Sequence, residues 1–481
     1  MPSNWRKKCF RRMKNEEVRM KKWESLSFFI SPFLIFHSSF FILSGAFMPI
    51  RYKVVGLLFL STIINYADRV NISVAGADIM RETGWDKTQF GVVLSAFLLG
   101  YALFQFPGGL IADRWSARKV LALSCLGFSL FTALTPIGGA GLAVMLALRF
   151  LVGACESISL PALASFNSHW IPRHEYARAQ TVSISGTSIG QMLAYPTTTW
   201  LIELFSWPVV FYFNATIGLL WVATWLWYTT DTPREHPSIE TKELDYIEKH
   251  LIPRATHAHP SFWAILAAPS VLALCVTYML YAFIAWIFIL WFPTYLVEVR
   301  GFSRLVMGGV GMLPTFGGFV GMIVGGTISD WLLRNGYGAR MARARFPGLC
   351  VGLAMPILLA AVLVPSTVLS VVLFVLFYFT FSLAVSGYWT MPLELAPRAV
   401  GAVGGVMNTT GNFAGFFGPM IAGYMITKTG SWISLFYLAA ALGIVSSAIF
   451  MFLVRTEPIV IAGIEAETGT EKVEAPIGTG H

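Results

Sequence analysis

Charge is what this chain has least of. Only 12% of its 481 residues are Asp, Glu, Lys or Arg, against 56% that are hydrophobic. A soluble domain carries about 25% charged residues, so a water-solvated globule is excluded. The mean hydropathy of +0.66 points instead to a polytopic membrane protein. Signatures of metal and nucleotide chemistry are missing too. There is no GxxxxGK[ST] phosphate loop, so direct ATP hydrolysis is not expected. HExxH is absent, no Cys or His cluster suits zinc or haem, and no Gly-x-Gly-x-x-Gly follows a strand-like run. The reading is therefore of a non-enzyme with no cofactor and no metal. The five cysteines (Cys9, Cys125, Cys155, Cys275, Cys350) have no ligand spacing, and four lie in or beside apolar runs. Free thiols are expected, not a disulfide framework. The net charge of +9 is no nucleic-acid signature, because the basic residues lie between apolar runs.

What is there in quantity is apolar sequence long enough to cross a bilayer. After residue 50 it divides into about twelve expected spans, at 54–77, 89–112, 119–138, 142–164, 179–201 and 208–228, then 263–295, 306–328, 347–365, 368–392, 401–427 and 432–454. The fold class expected is an all-α bundle of two six-helix halves, 48–228 and 263–454, joined by a polar linker, 229–262. Within the linker, Glu240–His250 reads as a short surface helix. Gly, at 43 residues, lets membrane helices pack closely. A monomer is expected.

Basic residues cluster in alternate loops. Arg114, Arg118 and Lys119 follow span two, Arg173 and Arg178 span four, and Arg334, Arg340, Arg343 and Arg345 span eight, with Arg234, Lys242, Lys249 and Arg254 in the linker and Arg398 after span ten. The opposite loops hold Arg81, Lys87, Arg300, Arg304 and Lys428. Positive loops stay cytoplasmic, so both ends of the helical body, including the tail 455–481, are expected on that side. The segment 1–47 does not fit: its apolar run Leu26–Ile50, if membrane-spanning, would reverse span one. Met48 is therefore expected as the native initiator, with 1–47 an upstream extension.

A repeat links the halves. Gly109-Leu-Ile-Ala-Asp113-Arg114-Trp-Ser-Ala-Arg118-Lys119 closes span two, and Gly326-Thr-Ile-Ser-Asp330-Trp-Leu-Leu-Arg334 closes span eight. Each sets a Gly four residues before an Asp at a helix end. Asp113, Arg114, Arg118 and Asp330 are read as gating residues that hold one side shut by charge and helix-end contacts. Two parallel halves are a transporter architecture, with the site between them near the midplane.

Asp68 and Arg69 interrupt span one, and charge at bilayer depth is costly enough to mark ion or substrate pathways. A buried pair that only locks helices is the alternative. Arg149 and Glu156 interrupt span four seven residues apart, nearly two turns, so they share one face roughly 10 Å apart. Arg grips a carboxylate with two hydrogen bonds, while Glu in low dielectric can exchange protons. A mutual salt bridge is the other reading. Tyr101 and Gln105, one turn apart on span two, can hydrogen-bond a polyol or carboxylate, or neighbouring helices. No charged residue lies mid-span after residue 262. The polar candidates there are Tyr278, Tyr281, Ser386, Trp389, Asn408 and Asn412, the last two open to a helix-packing role. Charge in one half and neutral groups in the other suit a small solute with an anionic end and a polar body.

Several motifs, in order, resemble the anion:cation symporter family of the major facilitator superfamily. They are Asn65-Tyr-Ala-Asp-Arg, Gly100-Tyr-Ala-Leu-Phe-Gln-Phe-Pro, Arg149-Phe-Leu-Val-Gly-Ala-Cys-Glu, Trp291-Phe-Pro-Thr-Tyr-Leu and Met407-Asn-Thr-Thr-Gly-Asn-Phe-Ala-Gly, with the Gly109–Lys119 loop. The likeness runs over roughly 48–455. That family includes carriers for galactonate, glucarate, hexuronates, tartrate, phthalate, glutamate and sialic acid. The resemblance implies that Arg69 and Arg149 meet a substrate carboxylate and that Asp68 and Glu156 couple protons. It also implies that Tyr101, Ser386, Trp389 and Asn408 face the substrate. Ser116 departs from the Gly usual in the loop. The expectation is a proton-coupled symporter of a small organic anion, of the sugar-acid type, in a bacterial inner membrane. An aromatic or dicarboxylic acid is the alternative substrate. A polytopic membrane enzyme is a remoter alternative.

Overall fold

The computed structural model describes residues 48–251, 262–396 and 400–457, and the side chains of Asp113 and Arg114 lie outside that description. The expected extension 1–47 and most of the tail fall outside it as well. Among the described residues there is no strand. Twelve long helical tracts follow one another. Tract one is Ile50–Val74, continued after a bend at Ala75 by Gly76–Thr83. Then come Lys87–Arg114, Ala117–Leu134 with a 3-10 turn Thr135–Ala140, Leu142–Glu156 with Ser159–Trp170, Arg173–Leu204 and Trp207–Tyr228. The second series is Pro269–Glu298, Arg304–Arg334, Phe346–Leu363 after a π-helical turn Met341–Arg345, Thr367–Ser382 with Val385–Leu395, Val400–Thr429 and Trp432–Phe452. Among the described residues, nine of these are long and apolar enough to cross a membrane, by length and composition. Tract one, with Asp68 and Arg69 in it, is not among the nine.

Most expected boundaries hold within a few residues. Span seven is a correction: it begins at Pro269, not at 263. Proline suits the first turn of a helix because its missing N–H has no partner there. Residues Phe262–Leu266 form a separate short helix. Tracts four and ten are each broken once, at Ser157–Ile158 and at Leu383–Ala384. In tract four, Pro161 cannot donate to the carbonyl of Ser157.

Packing repeats between the two series. Tracts one and five, two and four, three and six, and three and four pack together; so do seven and eleven, eight and ten, nine and twelve, and nine and ten. The second set is the first with six added to each number. The series meet through two against eleven, five against eight, and one against seven. Exchanging the series maps the first two of these seams onto each other, as two-fold-related repeats require.

Ion pairs distinguish the two ends of the bundle. At the Asp78 end three of them cross between the series, while Arg81 pairs with Asp78 within the first. Asp78 binds Arg304, Lys87 lies 3.1 Å from Glu298, and Arg304 lies 3.8 Å from Glu203. At the other end the ion pairs seen among the described residues join Arg51 to Glu175 and to Glu243 of the linker, and Arg343 to Asp330. The expected surface helix of the linker is Thr241–His250: half of its residues are exposed, and Ile247 is buried against the body at this end.

Candidate functional site

Four charged side chains lie almost wholly inside the first series: Asp68 (1% exposed), Arg69 (2%), Arg149 (1%) and Glu156 (0%). Neighbours on a helix diverge by about 100°, so Asp68 and Arg69 part company. Asp68 Oδ2 accepts a hydrogen bond from Thr132 on tract three at 2.8 Å. Arg69 reaches tract four, where its Nε and Nη2 donate to Glu156 Oε2 at 3.1 and 2.8 Å. Nη2 also donates to Asn65 Oδ1 at 3.2 Å, one turn back.

This corrects the mutual Arg149–Glu156 bridge. Seven residues along one helix leave a gap that side chains do not close, and Arg69 of tract one takes the carboxylate instead. Arg149 lies with its guanidinium carbon 4.9 Å from the Phe97 ring centre. Its Nε and Nη1, Glu156 Oε1 and Asp68 Oδ1 have no hydrogen-bond partner among the described residues. Unmet buried polar atoms are few in folded proteins and call for an explanation. Here four of them belong to one electrically balanced cluster.

Glycine makes the cluster possible. A Cβ on Gly153 would lie 1.9 Å from the carbonyl oxygen of Phe97, and one on Gly100 would lie 2.1 Å from that of Phe150. Tracts two and four therefore touch backbone to backbone, which brings tract four close beside the Phe97–Tyr101 face. The first segment of tract four ends at Glu156 itself.

Aromatic rings wrap Arg69. Its guanidinium carbon is 4.3 Å from the Tyr66 ring centre, 4.6 Å from Tyr101, 5.1 Å from Phe97 and 5.8 Å from Trp286. The first three belong to the first series and Trp286 to tract seven. Gln105 meets the second series directly, accepting from Asn412 Nδ2 at 2.8 Å. Tyr278 packs edge-on to Trp389 at 6.2 Å, and Trp389 is half exposed. Tyr281 is stacked on Phe381 at 4.1 Å inside the second series. Ser386 donates only to its own helix, to the Leu383 carbonyl at 3.4 Å, next to the break in tract ten. Asn408 is half-buried on tract eleven. The structure thus gathers Arg69, Tyr101 and Glu156, and joins Gln105 to Asn412. It sets Tyr281 into a wall of rings.

Sequence reasoning missed Trp286, Phe97 and Thr132. Tyr66 and Asn65 carried a signal, since they precede Arg69 by three and four residues and so share its face. Trp286 carried none, as it lies in another series within an unbroken apolar run.

Of the gating candidates, Asp330 accepts from Arg343 Nη2 at 2.8 Å, while Arg343 Nη1 donates to Ser329 at 2.9 Å and its Nε lies 3.7 Å from Glu394. These contacts join tracts eight, nine and ten. Arg118 donates to the Leu226 carbonyl, within the first series. Asp113 and Arg114 fall outside the described side chains. Ser116 caps tract three by accepting from Lys119 N, and its hydroxyl binds Asp231 of the linker. Its φ of −66° needs no glycine.

Twelve tracts in two repeated series, with buried charge at the centre, define a secondary carrier. Residues 58–419 match the family model described as Major Facilitator Superfamily, and the chain belongs to that superfamily, among carriers of the anion:cation symporter type. It is 33% identical over 437 residues to the "Probable galactarate/D-glucarate transporter GudP" of Bacillus subtilis, covering 86% of this chain and 94% of that one. It is 31% identical over 395 residues to the "Probable sulfoacetate transporter SauU" of Cupriavidus necator, covering 82% and 91%. It is also 31% identical over 422 residues to the hexuronate transporter of Bacillus subtilis, covering 87% and 98%. In fold it is similar to a crystal structure of a bacterial homologue of the human lysosomal transporter Spinster. That match has a TM-score of 0.71 at 19% identity, covering 85% of this chain and 98% of that one. These relatives are carriers, and the chain is a multi-pass membrane transporter, not an enzyme.

Proposed function

We propose that the chain is a proton-coupled symporter that brings a small organic anion of the sugar-acid type across a bacterial inner membrane, with both ends of its helical body in the cytoplasm. The observation that carries this reading is the buried Arg69–Glu156 pair beside Arg149, whose Nε and Nη1 have no partner among the described residues. Breaking a buried pair by removing one charge costs about 3–5 kcal/mol, because the other charge is stranded. A proton on Glu156 and a carboxylate on the arginines would strand nothing. The proton neutralises Glu156, the anion replaces it, and the cluster keeps its charge balance. When the proton leaves on the cytoplasmic side, Glu156 reclaims Arg69 and the anion is expelled. Gln105, Tyr278, Trp389 and Asn408 then meet the neutral body of the solute. Names of relatives support a sugar acid: galactarate, D-glucarate and hexuronate. The ion pairs at the Asp78 end and their absence between the series at the other end, among the described residues, support a state closed toward the outside.

The test is reconstitution in liposomes with an imposed pH gradient, offering D-glucarate, galactarate, a hexuronate and sulfoacetate. Gradient-dependent accumulation of one of these is expected. Uptake indifferent to the gradient would overturn the coupling. A second reading, an aromatic acid, is favoured by the ring-rich surroundings of Arg69 and Tyr278. Competition by phthalate stronger than by any sugar acid would select it.

A further inference from the structure

The charges lie in the first series, yet an alternating carrier has to convey their state to the second. No charged residue lies mid-span in the second series, so ion pairing is not available at that depth. Among the described residues, neutral contacts cross there: Trp286 over Arg69, Tyr195 against Thr315 and Gly311, and the Gln105–Asn412 hydrogen bond. The hydrogen bond does not change with protonation of Glu156. The attraction of Trp286 for Arg69 does change, because it depends on how much of the guanidinium charge is left uncompensated.

We infer that Trp286 is the positioning residue through which the second series senses whether Arg69 is paired with Glu156. This rests on the proposed coupling role of Glu156. A cation within about 6 Å of an indole face is attracted by the ring quadrupole, and weakly so when a counter-ion already sits on it. With Glu156 ionised, its Oε2 receives both Nε and Nη2 of Arg69, and little charge is left for the ring. With Glu156 neutral, the guanidinium faces Tyr66, Phe97, Tyr101 and Trp286 uncompensated by that carboxylate. Three of these rings move with Arg69, so their attraction is the same in every state of the carrier. Trp286 alone of the four belongs to tract seven, so its attraction pulls the two series together. Proton binding therefore favours the closed seam.

The indole is held for this role. Gly415 on tract eleven leaves it room: a Cβ there would lie 2.7 Å from Trp286 Cδ1 and 2.8 Å from its Nε1. The other groups bearing charge near the cluster are Asp68 and Arg149, both in the first series. Neither has an ion-pair partner in the second series among the described residues, so neither supplies a rival route across the seam.

The experiment is a double-mutant cycle on the conformational equilibrium, which needs no substrate. A cysteine is introduced at Thr294, buried on tract seven near Gly76 at the closed end. Its labelling by an impermeant maleimide in liposomes reports opening of that seam. Glu156→Gln, which imitates the protonated side chain, is expected to lower labelling about two- to tenfold in the Trp286 protein. It should do so far less with Trp286→Leu. Fluorinated tryptophans at position 286, which keep the shape and drain the ring of electrons, should diminish the effect step by step. That series also serves if Trp286→Leu fails to fold. Additive effects of the two substitutions, or indifference to fluorination, overturn the inference. A wild-type protein that accumulates none of the sugar acids would overturn the proposed substrate while leaving this cycle readable.

Discussion

Arg69 donates two hydrogen bonds to a single oxygen of Glu156, from Nε at 3.1 Å and Nη2 at 2.8 Å, and the other oxygen has no partner among the described residues. The pair is thus formed but not saturated. A proton on the free oxygen would turn Glu156 into a neutral group that no longer needs the arginine.

Glu156→Gln should separate binding from coupling. The amide keeps the size of the protonated acid and cannot ionise. Counterflow between two substrate-loaded sides should persist, while accumulation against a gradient should fall to the passive level. Liposomes measured in both modes check this. Accumulation with wild-type dependence on the pH gradient would remove Glu156 from the coupling site. Asp68→Asn should also lose accumulation, with a loss of folding stability as well, because the amide can still accept from Thr132 but no longer offsets the buried charge of the arginines.

Arg149 is the buried cation without an ion-pair partner within 4.0 Å among the described residues. Arg149→Ala should abolish anion binding. Arg149→Lys should rescue it poorly, since a point charge lacks the forked geometry for a carboxylate. Calorimetry with D-glucarate on purified protein would decide. Near-normal affinity in the Ala variant would rule out Arg149 as the anchor.

How legible all this was depends on what each feature needs from other helices. Most spans were legible because membrane helices satisfy their backbone locally, so apolar length alone marks nine of the twelve tracts among the described residues. The cluster members were legible too, because charge at depth is rare. Their pairing was not. Spacing within one helix suggested Arg149 with Glu156, whereas the partner came from tract one, a contact between helices that spacing within a single helix does not encode. Trp286 stayed hidden for the same reason, as one ring in an apolar run.

The glycine contact itself is testable. Gly153→Ala would set a methyl 1.9 Å from the Phe97 carbonyl, and backbone has to move to admit it. Overpacking of this kind costs about 1–3 kcal/mol. Gly56, with open space around its Cβ, is the control. Thermal unfolding in detergent should show a clear drop for Gly153→Ala and none for Gly56→Ala.

In the neutral wall, Trp389→Ala and Asn408→Ala should weaken hydroxylated anions more than hydroxyl-poor ones of similar charge. A hydrogen bond lost from a matched pair costs about 0.5–1.5 kcal/mol, or roughly two- to tenfold in affinity. D-glucarate against succinate is a suitable comparison. Equal losses for both would mark these residues as structural.

The docked linker helix gives a pH prediction with a definite sign. Glu175 accepts from Arg51 Nε at 3.0 Å, Tyr246 at 3.0 Å and Tyr52 at 3.1 Å. Burial opposes its ionisation, but these bonds together outweigh burial and hold its carboxyl below the usual value. A carboxylate depressed in the folded state contributes stability above its unfolded value, about 4.3 for Glu, and loses it as pH falls through the folded one. The Glu175 contribution to docking should therefore be constant from pH 8 to pH 5 and be lost only in stronger acid. Glu243 accepts the backbone N–H of Ile50 and Arg51 at 3.0 and 3.2 Å and Arg51 Nη1 at 3.1 Å. Glu243→Ala should thus free the helix at neutral pH, by about 1–2 kcal/mol. A spin label at Lys249 reports the mobility of this helix. A label equally immobile in Glu243→Ala, or one released already between pH 8 and pH 5 in the wild type, would contradict the assignment of these carboxylates as its anchors.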